Sequence, residues 1–304
     1  MLNLRQLKLE LNDWVNWYNM INELLKLETF DLTNSEKIEA LELACLDQEQ
    51  VSCDVTHSFG PGVYIRQVTI PAGTFAIGHH QNLEHMNVMV KGKVSMIADD
   101  GTINILTAPF TYVAKPGRKI SYVHEDVVWL NIYSTTETDV EKLEATYLTK
   151  SNSFIGNSTQ NKLKLIKKTV DIDDFKTAIN ELGFTEEQFI KILDDNSDIE
   201  PLSGSYKIKV GDSSIREKGL IATSSICINE VIAPARLGTK RTIAGRYVNH
   251  SKTPNAKMVN GKNGNVYLLA IKDIAGCLGG QDGEEITINY RDTVNLTLSH
   301  SVGE

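Results

Sequence analysis

The sequence predicts a mainly β protein with short helices, of the α+β class. Short runs rich in β-branched and aromatic residues, broken by Gly, Pro and Asp, occupy residues 63–133 and return from residue 206 onward. Segments before and between these runs carry apolar residues every three or four positions, which is the period of an amphipathic helix. At 304 residues the chain is long enough for two ordinary domains.

Residues 1–50 are predicted to form an N-terminal helical segment. Apolar residues recur at helical spacing through residues 3–30, and a second helix is expected from Asn34 or Ser35 to about Leu46. Trp14 and Trp17 lie in the first of these helices, where they indicate packing against the core or contacts between copies of the chain.

Residues 51–150 are predicted to form a small β-barrel. Asp99-Asp100-Gly101 is a hairpin signal, and helical character returns at residues 138–148. Six or more short strands at this spacing are typical of a small sandwich or barrel. The expected strands are Val63–Ile70, Met86–Val90, Val94–Ala98, Ile103–Leu106, Thr111–Val113 and Val127–Tyr133.

Residues 151–205 are predicted to be a linker with two short helices, followed by a compact β fold over residues 206–304. The stretch 150–161 is polar and rich in turn-forming residues, which marks the linker. Helices are expected at about 172–182, closed by Gly183, and at 185–195. The second opens with Thr185-Glu186-Glu187-Gln188, a capping-box pattern.

Composition and charge exclude several function classes. The net charge is −8, with 12 basic and 20 acidic side chains in residues 1–160 and 19 of each afterwards. An acidic chain without a basic stripe is a poor nucleic-acid binder, and no apolar run is long enough to span a membrane. The spacing of the four cysteines predicts reduced thiols in a cytosolic protein, without a zinc site or disulfide frame; they are Cys45, Cys53, Cys227 and Cys277.

Two motifs in the second half carry chemistry. An Asn-His-Ser-x-x-Pro-Asn pattern spans Asn249–Asn255, and Gly-Glu-Glu-Ile-Thr-x-x-Tyr follows at Gly283–Tyr290. In this order they resemble the signature motifs of SET domains, the protein-lysine methyltransferase fold, and Lys218–Ala222 is similar to the first motif of that family. The resemblance covers residues 206–292 and implies a compact SET-like β fold with bound S-adenosylmethionine.

The same resemblance assigns roles to individual residues. Tyr290 would orient the target amine and the methyl group. A free lysine has a pKa near 10.4, so neutralising it near pH 7.5 costs about 4 kcal/mol, and an apolar channel lowers that cost. The cofactor would be held by Asn249 and His250 and lined by the backbone of Lys218 and Gly219, while Arg246 and Tyr247 would be cofactor-side or structural.

A histidine-rich stretch in the first half is similar to the first cupin motif. It consists of Pro71-Ala72-Gly73, His79-His80-x-x-x-Glu84-His85 and Gly92, and the resemblance implies a cupin-like β-barrel with a divalent metal. Mn, Fe, Zn or Ni suits such ligands. The alternatives are a barrel with satisfied polar core residues and a small-ligand pocket, since neighbouring side chains on a regular strand cannot both point inward. The candidate ligands are His79, His80, Glu84, His85 and His124.

A wider pattern in residues 55–148 points to a viral setting. Glu84-His85-Met86-Asn87, Lys115-Pro116-Gly117 and His124–Trp129 resemble cupin-like proteins encoded by tailed bacteriophages. The resemblance implies a bacteriophage protein in the cytoplasm of an infected bacterium, in the virion, or in both. A protein substrate or partner and a homo-oligomer or virion assembly are expected, without nucleic-acid or membrane partners.

Three functions follow as hypotheses. The first is an S-adenosylmethionine-dependent protein-lysine methyltransferase, or its degenerate descendant, with the cupin domain serving targeting or oligomerisation. The second is a non-catalytic head or tail protein of the virion. It is favoured by Glu217, which replaces the first glycine of Gly-x-Gly, and by the short spacing of 30 residues from Gly219 to Asn249. The third is a metal-dependent cupin enzyme such as an isomerase or dioxygenase.

Overall fold

The structure, a computed structural model, describes residues 34–46, 49–97, 103–155, 169–195, 197, 199–279 and 281–293. The expected helix over residues 3–30, with Trp14 and Trp17, and the Asp99-Asp100-Gly101 turn lie outside these residues. The mainly β class with short helices is confirmed. The helices of the described part are α1 (Asn34–Leu46), α2 (Val140–Tyr147), α3 (Thr169–Glu181), α4 (Glu186–Asp194), α5 (Ile243–Tyr247) and a 3₁₀ turn at Lys262–Gly264.

Short strands make up most of the described structure. In chain order they are β1 (Val55–Gly60), β2 (Val63–Ile70), β3 (Phe75–Ile77), β4 (His80–Gln81), β5 (His85–Ile97), β6 (Ile103–Thr107), β7 (Phe110–Ala114), β8 (Ile120–Ser134), β9 (Leu148–Thr149), β10 (Ile199–Glu200), β11 (Gly204–Tyr206), β12 (Ile208–Asp212), β13 (Lys218–Ala222), β14 (Val231–Leu237), β15 (Lys240–Thr242), β16 (Asn249–His250), β17 (Ala256–Asn260), β18 (Val266–Ala270) and β19 (Glu285–Ile288).

The first half is built on one eight-stranded antiparallel sheet. Its order is β11-β1-β2-β8-β5-β6, with β3 also paired to β8 and β7 to β5. Register shifts between Met89 and Val94 interrupt the long β5–β8 pairing. Within the described residues the pairing never returns to its starting strand. The sheet is therefore not closed into a barrel within the described residues.

One face of this sheet carries a polar row. Directly paired residues point to the same face of a sheet, and the register places His57 opposite Arg66, Arg66 opposite Asn131, and Asn131 opposite Asn87. The neighbouring row is aromatic, because Tyr64 stacks against other rings of that row. Charged and amide groups are thus placed on a face that also packs a core.

The second half contains two smaller sheets. A five-stranded sheet has the order β10-β15-β14-β18-β17, and a four-stranded sheet has the order β12-β13-β19-β16. In the latter, β16 and β19 run parallel, with Asn249 opposite Thr287. This pairing brings the two sequence motifs side by side.

The hydrophobic core is continuous through both halves. Phe59, Tyr64 and Tyr133 of the first sheet belong to the same buried cluster as Leu220 and Ile286 of the second half. Since β11 also completes the first sheet, the two halves share structure as well as core. The domain bounds 51–150 and 206–304 remain a prediction.

Helices α3 and α4 lie against the second half. The predicted capping box at the start of α4 is confirmed: the Thr185 hydroxyl accepts from the Gln188 N–H, and the Gln188 side chain accepts from the Thr185 N–H. Phe175 of α3 and Phe189 of α4 pack on the core. The pair of helices therefore covers one side of the motif region.

Candidate active site

Tyr290 is almost fully buried at the end of the last motif. Its hydroxyl donates a hydrogen bond to the Val248 carbonyl at 3.0 Å. Its ring packs against Phe175, Phe189 and His250, with centroid separations of 6.0, 5.5 and 5.3 Å. Burial raises the pKa of this phenol above its ordinary value, so Tyr290 stays a neutral hydroxyl.

His250 is fixed in one tautomer. Its Nδ1 accepts from the backbone N–H of Tyr290 at 3.1 Å, so the proton lies on Nε2, which donates to Asp174 Oδ2 at 2.9 Å. The Arg291 guanidinium also contacts Asp174, at 2.7 Å. Hydrogen bonds from Arg291, and then from His250, overcome the effect of burial and lower the pKa of Asp174 to about 2. The hydrogen bond to Asp174 thereby holds the His250 imidazole in place against α3.

Asn249 joins the first motif to the last. Its Nδ2 lies 2.8 Å from Glu285 Oε1, 3.0 Å from the Lys218 carbonyl and 3.1 Å from Ser213 Oγ. At Gly219 a Cβ atom would lie 2.3 Å from Glu285 Oε1, so the glycine leaves room for that carboxylate. The structure therefore brings Lys218, Gly219 and Asn249 together, as the motifs predict.

Arg246 and Tyr247 are neighbours in space as well as in sequence. The Arg246 guanidinium lies 4.8 Å from the centre of the Tyr247 ring. Its Nη2 is 3.2 Å from Asp194 at the end of α4, and Arg216 contacts the same carboxylate at 3.1 Å. Arg241 donates to the Ile192 and Asp195 carbonyls at 2.9 and 2.7 Å. Three arginines thus hold α4 beside the site.

Asp171 ties α3 to the Asn-His-Ser segment. Its Oδ1 accepts from the Ser251 hydroxyl and from the Lys252 N–H, both at 2.9 Å. The sequence motifs did not reveal Asp171, Asp174, Phe175 or Asp194. The one available signal was the apolar spacing of residues 175, 178, 179 and 182, which marks a buried helix face without naming its partner.

The five predicted metal ligands do not assemble. Within the described residues, no group of three or more His, Cys, Asp or Glu side chains could hold a metal ion. His124 contacts Ser95 at 2.7 Å, and Ser95 lies ten positions along β5 from His85, about 30 Å on an extended strand. The five side chains therefore do not form one site within the described residues, and a divalent metal in this half stays a prediction.

The five side chains have separate surroundings. His85 contacts the Leu83 carbonyl through Nδ1 at 2.9 Å. His79 packs edge-on against Phe154, with ring centroids 4.6 Å apart. His80 and Glu84 are exposed. The alternation of side chains accounts for part of this separation, since His79 is half-buried and His80 faces solvent.

Comparison with known families decides the identity of this fold. The sequence matches the SET domain family over residues 69–291, which is more than half of the chain. The chain belongs to the SET domain family. The matched residues include the Asn249–Asn255 and Gly283–Tyr290 segments, and this SET protein has a lysine methyltransferase-type fold. A comparison with curated proteins found no match.

Solved cupin structures are similar to part of this SET protein. One is an RmlC-like cupin family protein with a double-stranded β-helix fold from Methanocaldococcus jannaschii, with 14% identity over 32% of this chain and 89% of that chain, at a TM-score of 0.24. Another is a cupin-2 domain containing protein from Shewanella frigidimarina, with 15% identity over 36% of this chain and 98% of that chain, at a TM-score of 0.23.

Among the described residues, no helix has the length and apolar character required to cross a bilayer.

Proposed function

We propose that this SET protein is an S-adenosylmethionine-dependent protein-lysine methyltransferase. The observation that carries the proposal is the setting of Tyr290. Its hydroxyl is neutral, donates its proton to the Val248 carbonyl, and lies among the aromatic rings of Phe175 and Phe189. A hydroxyl held in this way keeps a lone pair for an incoming N–H group.

The groups around Tyr290 suit a cofactor that carries both positive and negative charges. A bound cofactor would meet the Glu285 carboxylate and the Lys218 carbonyl, which accept from Asn249. It would also meet the guanidinium groups of Arg216 and Arg246, which contact Asp194. The side chains of Asn249 and His250 are bonded within the protein. These two residues would therefore hold the cofactor through main-chain groups of β16, an edge strand.

The chain's own residues would then prepare the amine. When bound, S-adenosylmethionine supplies a methyl group on a cationic sulfonium. Apolar surroundings disfavour an ammonium ion, so the rings of Phe175 and Phe189 would lower the lysine pKa. The Tyr290 hydroxyl oxygen would accept a hydrogen bond from one N–H of the lysine amine and so orient the nitrogen lone pair toward the methyl group. This is a positioning role.

The Tyr290→Phe variant tests this assignment. We expect calorimetry to show that wild type and variant bind S-adenosylmethionine alike, because among the described residues the hydroxyl bonds to the Val248 carbonyl and not to a motif side chain. Transfer of labelled methyl groups to proteins of a host lysate should fall by about 100-fold or more, as when one positioned polar group is removed from an active site.

Tyr267→Phe is the matched control. This half-buried tyrosine lies on β18, and its hydroxyl accepts from Asn265 at 3.4 Å; its loss should leave labelling unchanged. Absence of binding at millimolar S-adenosylmethionine would overturn the proposed function. Equal labelling by the Tyr290→Phe protein would remove Tyr290 from its role.

A second candidate is a non-catalytic descendant that serves a bacteriophage virion. It is favoured by the cover over the site: α3 and α4 pack on Tyr290, and the Glu285 carboxylate fills the space beside Gly219. The motif residues would then stabilise a protein-binding or self-assembling module. Detection of the chain in purified virions, together with absence of cofactor binding, would support this candidate over the first.

A further inference from the structure

A cavity of about 800 Å³ lies between the polar face of the first sheet and the second half of the chain. The first sheet contributes His57, Arg66 and Asn131 to its lining, and the second half contributes Lys209 and Asp282. This volume falls within the range of roughly 300–1,000 Å³ that is usual for small-molecule sites. It is separate from Tyr290, which does not line it.

Three nitrogen atoms of residues lining this cavity are buried without a hydrogen-bond partner in the described structure: His57 Nε2, Arg66 Nε and His79 Nδ1. His57 is fully buried, and its other ring nitrogen is 2.7 Å from the Tyr64 hydroxyl. Leaving a buried polar group unpaired costs about 1–3 kcal/mol. Three such groups around one cavity could each form a hydrogen bond with a molecule bound there.

Five acidic and five basic side chains line the cavity, and Arg66 is one of the basic side chains. Glu144 is paired with Lys150 at 2.8 Å, and Asp282 is paired with Lys209. None of the salt bridges among the described residues involves Arg66. Its strand register places it directly between His57 and Asn131. The unpaired donors therefore surround a positive charge.

We propose that this cavity binds a small organic anion, through a carboxylate or phosphate group and without a metal ion. The Arg66 guanidinium is the charge partner. His57 donates from Nε2 when the Tyr64 phenol donates to Nδ1, and His79 supplies a further ring nitrogen. The Asn131 amide extends the polar row beside the guanidinium. The site does not involve Tyr290, although Lys218, whose backbone is predicted to line the cofactor, also lines this cavity.

Calorimetric titration with inorganic phosphate and with succinate, at constant ionic strength, tests the site. We expect saturable binding of at least one of them, and the one that binds assigns phosphate or carboxylate chemistry. Arg66→Gln should weaken that binding at least about tenfold, since hydrogen bonds to charged groups contribute about 1.5–3 kcal/mol. Lys257→Gln removes the same charge from an exposed position on β17 and should bind as wild type.

Circular dichroism establishes that each variant is folded. If Arg66→Gln does not fold, His79→Gln replaces it, because His79 lies outside the strands and its loss leaves every ladder intact. Absence of saturable binding at millimolar concentrations of both anions overturns the proposal. Unchanged affinity in the folded variant, or equal weakening by Lys257→Gln, does so too.

Discussion

Replacing Gly245 with alanine should destabilise the protein by about 3 kcal/mol or more, beyond the ordinary cost of overpacking. A Cβ at this position would lie 2.0 Å from the Ala235 carbonyl oxygen and 2.8 Å from its carbon. Both contacts are backbone, so no flexible side chain can move aside. The added methyl group would therefore push α5 and β14 apart. It would also displace Arg246 and Tyr247, which lie on α5.

Urea unfolding measures this effect, and Gly60→Ala provides the control. Nothing lies within 4 Å of a Cβ at Gly60, and its backbone is not in the left-handed region. Its substitution should change the free energy of unfolding by no more than about 0.5 kcal/mol. Similar losses at the two positions would contradict the close approach of α5 and β14.

Asp174→Ala should lower the free energy of unfolding by about 1–3 kcal/mol, as expected when a buried hydrogen-bond donor loses its acceptor. The imidazole of His250 is fully buried, and its Nε2–H would lose its acceptor. Arg291 would lose the same carboxylate. Asp173→Ala is the matched control, because that neighbouring side chain is exposed.

The effect of Asp174→Ala should depend on pH. The pKa of this carboxyl is lowered in the folded state, to about 2 from an ordinary value of 3.8. The stabilisation that ionised Asp174 adds to the free energy of unfolding is therefore fully present above about pH 4 and is lost as the pH falls through about 2. The difference in unfolding free energy between wild type and variant should shrink over this window. A difference that is constant from pH 6 to pH 2 would contradict the Asp174 network.

The motif residues of the second half could be predicted together from the sequence. Asn249 and Thr287 are 38 positions apart, yet the parallel pairing of β16 with β19 makes them neighbours. The capping box of α4 was equally accessible, because Thr185 and Gln188 are local partners. Such features depend on short-range chemistry or on the order of known motifs.

Other features depended on contacts that no local pattern encodes. The hydrogen bond from His250 to Asp174 of α3 is such a contact. The position of an acidic residue on a helix does not reveal which histidine it contacts. The separation of the five predicted metal ligands was inaccessible for a related reason: a histidine count does not show which side chains face one another in the folded chain. His85, at the start of β5, contacts the Leu83 carbonyl, whereas His124 contacts Ser95 near the end of β5.

The pairing of β1 with β11 has a consequence for synthesis. His57 and Tyr206 are direct partners although 149 residues separate them. During synthesis on the ribosome, the edge of β1 that pairs with β11 stays unpaired for roughly 7–30 seconds at ordinary elongation rates, until β11 has been made. An unpaired strand edge is a template for pairing with another chain. Nascent chains that stall before residue 204 therefore expose a nucleus for aggregation that the finished protein covers.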